Sequence, residues 1–244
     1  MRLTRAFVDM PLATGRRVAL PESAALHLVR VLRLVEGAAC VLFNGDGRDY
    51  DARLLSAGKR GAEAEIVAAR EVDNESPLRI VLVQGVARGE KMDLILQKAT
   101  ELGVASIAPV WAERTEVKLD AQRAEKRVAH WRSVIVSACE QSGRARVPPL
   151  AAPVSLAEAA AALPGDALKL SLDPAGENES RSLQPPASRT VAIAIGPEGG
   201  WSPRDRETLR AAGFAGLRLG PRVLRTETAG LAAIAALQAR FGDL

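Results

Sequence analysis

The run Val191-Ala192-Ile193-Ala194-Ile195-Gly196-Pro197-Glu198-Gly199-Gly200-Trp201-Ser202-Pro203-Arg204-Asp205 passes from strand to helix through one tight loop. Five unbroken apolar residues suit a strand buried on both faces. The glycines between Gly196 and Gly200 permit backbone angles and close approaches that side chains forbid. Ser202, Pro203 and Asp205 then fall on the N-cap, N1 and N3 positions of a helix. Working outward, Leu78–Val83, Ser106–Trp111 and Leu168–Leu172 read as further buried strands. Between the first two, Met92, Ile95, Leu96, Ala99 and Leu102 recur at helical spacing, and Gly103 follows as a C-cap. A helix from about Ala121 to Gln141 carries Ala124, Val128, Trp131, Ile135 and Ala138 on one face, and Ala157–Ala162 reads as a short alanine-rich helix. Strands alternating with helices predict an α/β domain with a mostly parallel sheet covered on both sides.

Upstream of Pro77 the pattern changes. Val18–Leu20, Ala39–Phe43 and Tyr50–Leu55 are short apolar runs cut by turn residues, and Asn44-Gly45 is a hairpin signal. They predict a small β-rich, barrel-like domain interrupted by a helix from Glu22 to Leu32. The polar segment Glu71–Pro77 is the natural boundary, which divides the chain into domains at 1–72 and 73–244.

At 244 residues and 48% hydrophobic content the chain can bury a substantial core. It begins with no charged-then-apolar leader and contains no apolar run of the ~20 residues needed to cross a bilayer, so a soluble, cytoplasmic protein without a membrane partner is expected. Cys40, Cys139, His27 and His130 form no metal-ligand spacing, and no metal is expected. Of the 33 basic residues 27 are Arg, and residues 1–70 hold 11 bases against 8 acids, or +3 of the total +4. The N-terminal part is therefore the candidate surface for a polyanion. With only 8 aromatic residues in the chain, charge and shape must outweigh stacking in any such contact.

In open α/β sheets ligands bind beyond the carboxyl ends of strands. Two loops qualify. The first is Gly196–Gly200, which has neither the GxGxxG spacing nor a Walker lysine; an ordinary strand-to-helix turn would also explain its glycines. The second follows the strand Leu217–Leu219 and runs Gly220-Pro221-Arg222-Val223-Leu224-Arg225-Thr226-Glu227-Thr228 into a helix from Ala229 to Phe241. Thr226 or Thr228 can cap that helix. Glu227 suits its dipole, whereas Arg225 opposes it, which suggests a negatively charged or polar ligand, although a plain surface arginine is the commoner explanation. Glu140 also opposes a dipole, in the last turn of its helix, and pairing with Arg144 is the expected reason.

These loops, together with Ala138-Cys139-Glu140-Gln141-Ser142-Gly143-Arg144, Arg88-Gly89-Glu90-Lys91-Met92, Thr100-Glu101-Leu102-Gly103 and His27-Leu28-Val29-Arg30-Val31-Leu32-Arg33, resemble the signatures of the RsmE family of 16S ribosomal RNA (uridine-N3) methyltransferases in the SPOUT superfamily. Six motifs in order, covering both domains, carry the resemblance. It implies an N-terminal PUA-like RNA-binding β-barrel and a C-terminal SPOUT domain with a trefoil-knotted cofactor site. It also implies S-adenosylmethionine as donor, 16S rRNA in the small subunit as substrate, and a homodimer. On the matched positions, Arg225 would stabilise the uracil anion, and Glu198 or Glu227 would handle the proton or the sulfonium. Gly196, Pro197, Gly199, Gly200, Leu219, Gly220, Leu224 and Thr226 would contact the donor, with Leu172 and Ala229 lining its cavity. Arg2, Arg5, His27, Arg30 and Arg33 would contact RNA.

Three other readings compete. A phosphate-ester hydrolase would need a nucleophile or metal carboxylates near the glycine loop, and none is apparent. A non-catalytic ribosome-assembly factor would explain the arginines but leave both loops without a role. A SPOUT enzyme acting on another RNA position would fit the same residues.

Overall fold

The computed structural model describes residues 4–58, 61–116 and 121–244, which divide into two compact units. The first comprises residues up to Glu75 together with Val136–Val147, and the second Ser76–Ile135 with Pro148–Leu244.

In the first unit, β1 (Arg5–Phe7), β3 (Ala39–Phe43), β4 (Arg48–Gly58), β5 (Gly61–Glu71) and β2 (Arg17–Ala19) form one sheet in that spatial order. The expected barrel is thus a five-stranded sheet, and β1 and β2 are not paired with each other among the described residues. Register shifts at Asp51/Ala52 and Leu54/Ser56 bend the long β4–β5 hairpin, as bulges do by increasing local twist. The sheet thereby curls around a core that includes Val18, Leu28, Leu42, Leu54 and Ile66.

The helix expected over Glu22–Leu32 needs correction. It is α1 (Glu22–Ala25) followed by a π-helical turn, Leu26–Val31, in which the Leu32 N–H donates to the His27 carbonyl at 3.0 Å. Arg33 then takes a left-handed φ of 56°, which ends the helix.

Helix α3 (Ala121–Ser142) buries Trp131, Ile135 and Ala138, as its spacing predicts. The end of this helix, expected within 73–244, groups with the first unit, which takes in Val136–Val147. Polar contacts explain why. Glu140 Oε1 accepts from the Phe7 N–H at 3.0 Å, satisfying a backbone donor of β1. Arg144 pairs instead with Glu75, its Nε lying 3.0 Å from Oε1. The expected Glu140–Arg144 pair is therefore replaced by two contacts more distant in sequence.

The second unit holds a seven-stranded sheet in the order β10 (Asn178–Glu179), β12 (Ala215–Arg218), β9 (Leu168–Leu172), β11 (Thr190–Ile195), β6 (Arg79–Gly85), β7 (Ser106–Trp111) and β8 (Val154–Ser155). Every ladder is parallel. All six residues of β11 are buried, which is why its sequence is continuous rather than alternating. Ala192 and Ala194 pack with residues of α4 (Leu156–Ala161) and α5 (Pro203–Ala211). Helix α6 (Thr226–Phe241) packs against α2 (Glu90–Glu101) and β11. A Cβ added at Gly230 would stand 3.4 Å from Ile195, so this helix lies close on the sheet. The strand expected at Leu217–Leu219 is shifted, since β12 ends at Arg218.

The far end of α6 is fixed by the buried Gln238, whose amide donates to the Leu102 and Gly103 carbonyls at 3.0 and 3.4 Å while its oxygen accepts from Ser76 at 2.7 Å. Replacing it with Ala removes these bonds and strands buried partners, so Gln238→Ala is expected to lower unfolding free energy by about 3 kcal/mol. Urea denaturation measures this, and a loss below about 1 kcal/mol would mean the network does not hold the helix.

Candidate functional site

The carboxyl ends of β6, β9, β11 and β12 open toward the same side of the parallel sheet, and the loops leaving three of them wall a cavity of about 360 Å³. Leu172 and Asp173 come from the end of β9, Gly196, Pro197, Glu198, Gly199 and Gly200 from the loop after β11, and Leu219, Gly220, Leu224 and Arg225 from the loop after β12. Thr226, Glu227 and Ala229 of α6 complete the far wall. All the catalytic and donor-contact candidates named from the sequence thus line one cavity.

Steric and polar contacts hold the two loops. A Cβ at Gly85 would lie 2.6 Å from the Pro197 nitrogen, so only glycine lets the loop after β11 pass this close to the end of β6. The left-handed turn at Gly200, φ 65°, is closed by its N–H donating to the Pro197 carbonyl at 2.8 Å. Ser202 and Asp205 then form the expected reciprocal capping box at the start of α5, with Pro203 at N1. The start of α6 differs from expectation. Arg225 is its N-cap and no side chain caps it. Thr226 Oγ1 instead donates to the Gly196 carbonyl at 2.6 Å and accepts from Gln84 Nε2 at 3.3 Å. One hydroxyl thereby ties the end of β6, the glycine loop and α6.

Three carboxylates line the cavity. Asp173 receives Arg206 Nε at 2.6 Å and the Ala175 N–H at 3.0 Å. Partial burial pushes its pKa up, but those donors and the Arg206 charge outweigh it and hold the group below its usual value. Glu198 Oε1 receives the Arg88 N–H at 3.0 Å and lies 3.4 Å from Lys91 Nζ. Here too burial raises the pKa, while the Arg88 and Glu198 backbone N–H groups and the Lys91 ammonium together lower it further. Glu227 Oε2 is buried and has no hydrogen-bond partner.

Among the cations, Arg206 is paired with Asp173, Arg218 with Glu179 at 2.7 Å, and Arg114 donates to the Gly199 carbonyl at 3.1 Å. Arg222 and Arg225 are exposed at the cavity rim.

Sequence reasoning missed Lys91, Arg114, Asp173, Arg206 and Gln84. Asp173 follows a strand directly and was within reach of the strand-end rule. Lys91 lies within the Arg88–Met92 motif without having been given a role, and Arg114, Arg206 and Gln84 arrive from distant elements. Among the described residues no cluster of His, Cys, Asp and Glu could hold a metal, and no helix is long and apolar enough to cross a membrane.

In the first unit, His27 and Arg30 lie on the π-helical turn and Arg33 just beyond it, with both arginines exposed. Arg5 is not available to a phosphate. It is 7% exposed, with Nη2 on Asp49 at 2.6 Å and on the Arg144 carbonyl, Nη1 on the Cys139 carbonyl, and its guanidinium 4.6 Å from the Phe43 ring centre. Arg2 lies outside the described residues.

A ligand cavity across the strand ends of a parallel sheet, in a chain that also carries a small β unit, corresponds to a known class. Residues 74–238 match the model of an RNA methyltransferase domain, and residues 20–67 that of an RNA methyltransferase PUA domain. The chain is 31% identical over 243 residues to ribosomal RNA small subunit methyltransferase E of Buchnera aphidicola, covering 100% of this chain and 98% of that protein. The Bacillus subtilis protein of the same name is 30% identical over 218 residues, covering 86% and 85%. A crystal structure of ribosomal RNA small subunit methyltransferase E from Neisseria gonorrhoeae bound to S-adenosyl methionine superposes with a TM-score of 0.92 at 40% identity, over 100% of both chains. A Legionella pneumophila methyltransferase in complex with the same cofactor gives 0.95 at 40% identity, again over both whole chains. The chain belongs to the RNA methyltransferase family, in its small-subunit methyltransferase E (RsmE) branch.

Two outcomes follow from the cavity walls. Gly85→Ala drives the glycine loop away from β6, and binding of S-adenosylmethionine measured by calorimetry is expected to weaken at least about tenfold, or 1.4 kcal/mol. An unchanged affinity would separate the loop from the ligand. Because the Glu198 pKa is lower folded than unfolded, the stability its contacts add is complete above the usual carboxylate range and is lost as pH falls through the lowered value. Glu198→Gln should accordingly flatten the stability profile on the acid side, as thermal melts across pH will read.

Proposed function

We propose that this enzyme moves the methyl group of S-adenosylmethionine to N3 of one uridine in the 16S ribosomal RNA of the small subunit. One observation carries the reading: both signature loops wall a single cavity at the strand ends, with Arg225 at its rim. A cavity of about 360 Å³ falls within the usual range for bound cofactors. Its glycine-rich walls bring main-chain N–H and C=O groups to the surface. That donor set fits a ligand joining an amino acid to a nucleoside. Gly196, Pro197, Gly199, Gly200, Leu219, Gly220 and Leu224 would hold it largely through backbone, with Leu172 and Ala229 as apolar lining and Thr226 fixing the loops. When bound, the sulfonium supplies an electrophilic methyl group.

The protein's remaining task is to present N3 of the uracil stripped of its weakly acidic proton. Arg225, exposed at the cavity rim, stabilises the negative charge that develops on the ring once bound RNA covers it. A carboxylate receives the proton. His27, Arg30 and Arg33, with Arg2, are the RNA contacts of the first unit, a role supported by the exposure of Arg30 and Arg33 and by the N-terminal basic excess.

The same reading takes the enzyme as a cytoplasmic homodimer whose C-terminal segment is threaded as a trefoil knot. Support for the threading comes from the chain's course. It leaves β12 beyond β9, crosses to Gly196 and Gln84 through 219–225, and continues as α6 against α2 and the turn Ser180–Ser182.

Nucleoside mass spectrometry of ribosomal RNA tests the reading. Deleting the gene should remove N3-methyluridine from the small-subunit RNA, and an unchanged profile would overturn it. Arg225→Ala should lower turnover by about 10²–10³-fold with donor affinity unchanged. Retained turnover would remove Arg225 from the chemistry.

A further inference from the structure

We propose that Arg114 and Arg222, at the mouth of the donor cavity, hold the RNA backbone on the two sides of the nucleotide to be methylated. This rests on the proposed function and adds a phosphate-binding surface in the second unit to the arginines of the first.

Among the described residues, six basic side chains line the cavity, Lys91, Arg114, Arg206, Arg218, Arg222 and Arg225, against three carboxylates. S-adenosylmethionine does not account for that surplus. Its sulfonium and ammonium outnumber its single carboxylate, so it carries net positive charge at neutral pH, and an electropositive wall opposes its binding. The surplus suits an anion that reaches the same opening, and the phosphates of an RNA substrate are such anions.

Pairing sorts the six. Arg206 is held by Asp173 at 2.6 Å and Arg218 by Glu179 at 2.7 Å, while Lys91 lies 3.4 Å from Glu198. Arg114, Arg222 and Arg225 are exposed and have no carboxylate partner among the described residues. With Arg225 assigned to the charge on the uracil ring, Arg114 and Arg222 are left for the backbone.

The fold holds both arginines in place. Arg114 sits in the turn after β7, where the Ala112 N–H donates to Thr115 Oγ1 at 3.0 Å and the Thr115 N–H donates back to the Ala112 carbonyl at 3.0 Å. The neighbouring Glu113 N–H donates at 3.3 Å to the carboxylate of Asp205, the residue that completes the capping box of α5. Arg114 Nη1 gives one bond to the Gly199 carbonyl at 3.1 Å, which leaves the other guanidinium N–H groups for a phosphate. Arg222 follows the left-handed Gly220, φ 85°, and Pro221 in the loop after β12. One arginine thus stands beside the loop after β11 and the other on the loop after β12. A strand crossing the opening meets a cation from each wall while one base turns in toward the methyl group. Because N3 lies on the pairing edge of uracil, that base must enter unpaired, and phosphates fixed on both sides of it keep the strand in the required shape.

The rival anion for either arginine is the carboxylate of the donor, and the test separates the two. Arg222→Ala, Arg114→Ala and the charge-keeping Arg222→Lys are compared with the parent for binding of small-subunit RNA across a salt series, for S-adenosylmethionine affinity by calorimetry, and for methyl transfer resolved into kcat and KM for RNA. Each alanine variant is expected to weaken RNA binding about threefold to fivefold at low salt and to lower the slope of log affinity against log salt by about 0.7–0.9, with the loss of activity falling on KM for RNA rather than on kcat. Arg222→Ala should leave donor affinity unchanged, and Arg222→Lys should restore the salt slope. A slope that neither alanine variant changes overturns the proposal, as does a loss that tracks weakened donor binding or falls on kcat alone. Parent enzyme that binds small-subunit RNA but methylates no uridine N3 would instead overturn the proposed function and leave the phosphate contacts standing.

Discussion

The hydroxyl of Thr226 joins parts of the chain that have no local reason to meet. It donates to the Gly196 carbonyl and accepts from Gln84, so the ends of β6 and β11 and the start of α6 share one buried atom. If this junction loosened, the loop after β12 would no longer be held against the loop after β11, and the cavity between them would lose a wall. Gly85 serves the same closure sterically, by letting Pro197 approach where a side chain would intervene. The thin, alanine- and glycine-rich first turns of α6 follow from this constraint rather than from any need for bulky packing.

With that geometry fixed, the site divides its labour by hydrogen-bond commitment. Charged groups with partners, Asp173 with Arg206 and Glu198 with the α2 end, maintain the walls. Arg222 and Arg225 stay exposed at the rim of the same cavity. Distance from a ligand would not have drawn this line, because all of them border the same space.

Much of this was legible in the sequence because its causes are local. A buried parallel strand needs an unbroken apolar run, and β11 has one. Ser202, Pro203 and Asp205 carry their capping geometry in their spacing. Both ligand loops could be picked out as sequences that follow strands. What was not legible depends on partners far along the chain. Glu140 meets Phe7 and Arg144 meets Glu75, so the nearest opposite charge was the wrong guide. Arg5 counted toward a basic N-terminus, yet it is buried on Asp49 and two carbonyls. Likewise Lys91, in the first turn of α2, and Arg114, in the turn after β7, reach the site from elements far along the chain. The π-helical turn at Leu26–Val31 escaped because an ordinary helix has nearly the same apolar period.

The central claim is that the loops after β11 and β12 close on one another to form a single donor site. Titrating isotopically labelled protein with S-adenosylmethionine and following backbone amide resonances tests it most directly. The account predicts that the largest shifts fall together on Gly196, Gly199 and Gly200 and on Leu219–Thr226, saturating with one dissociation constant. Shifts confined to one loop, or centred elsewhere in the chain, would contradict it.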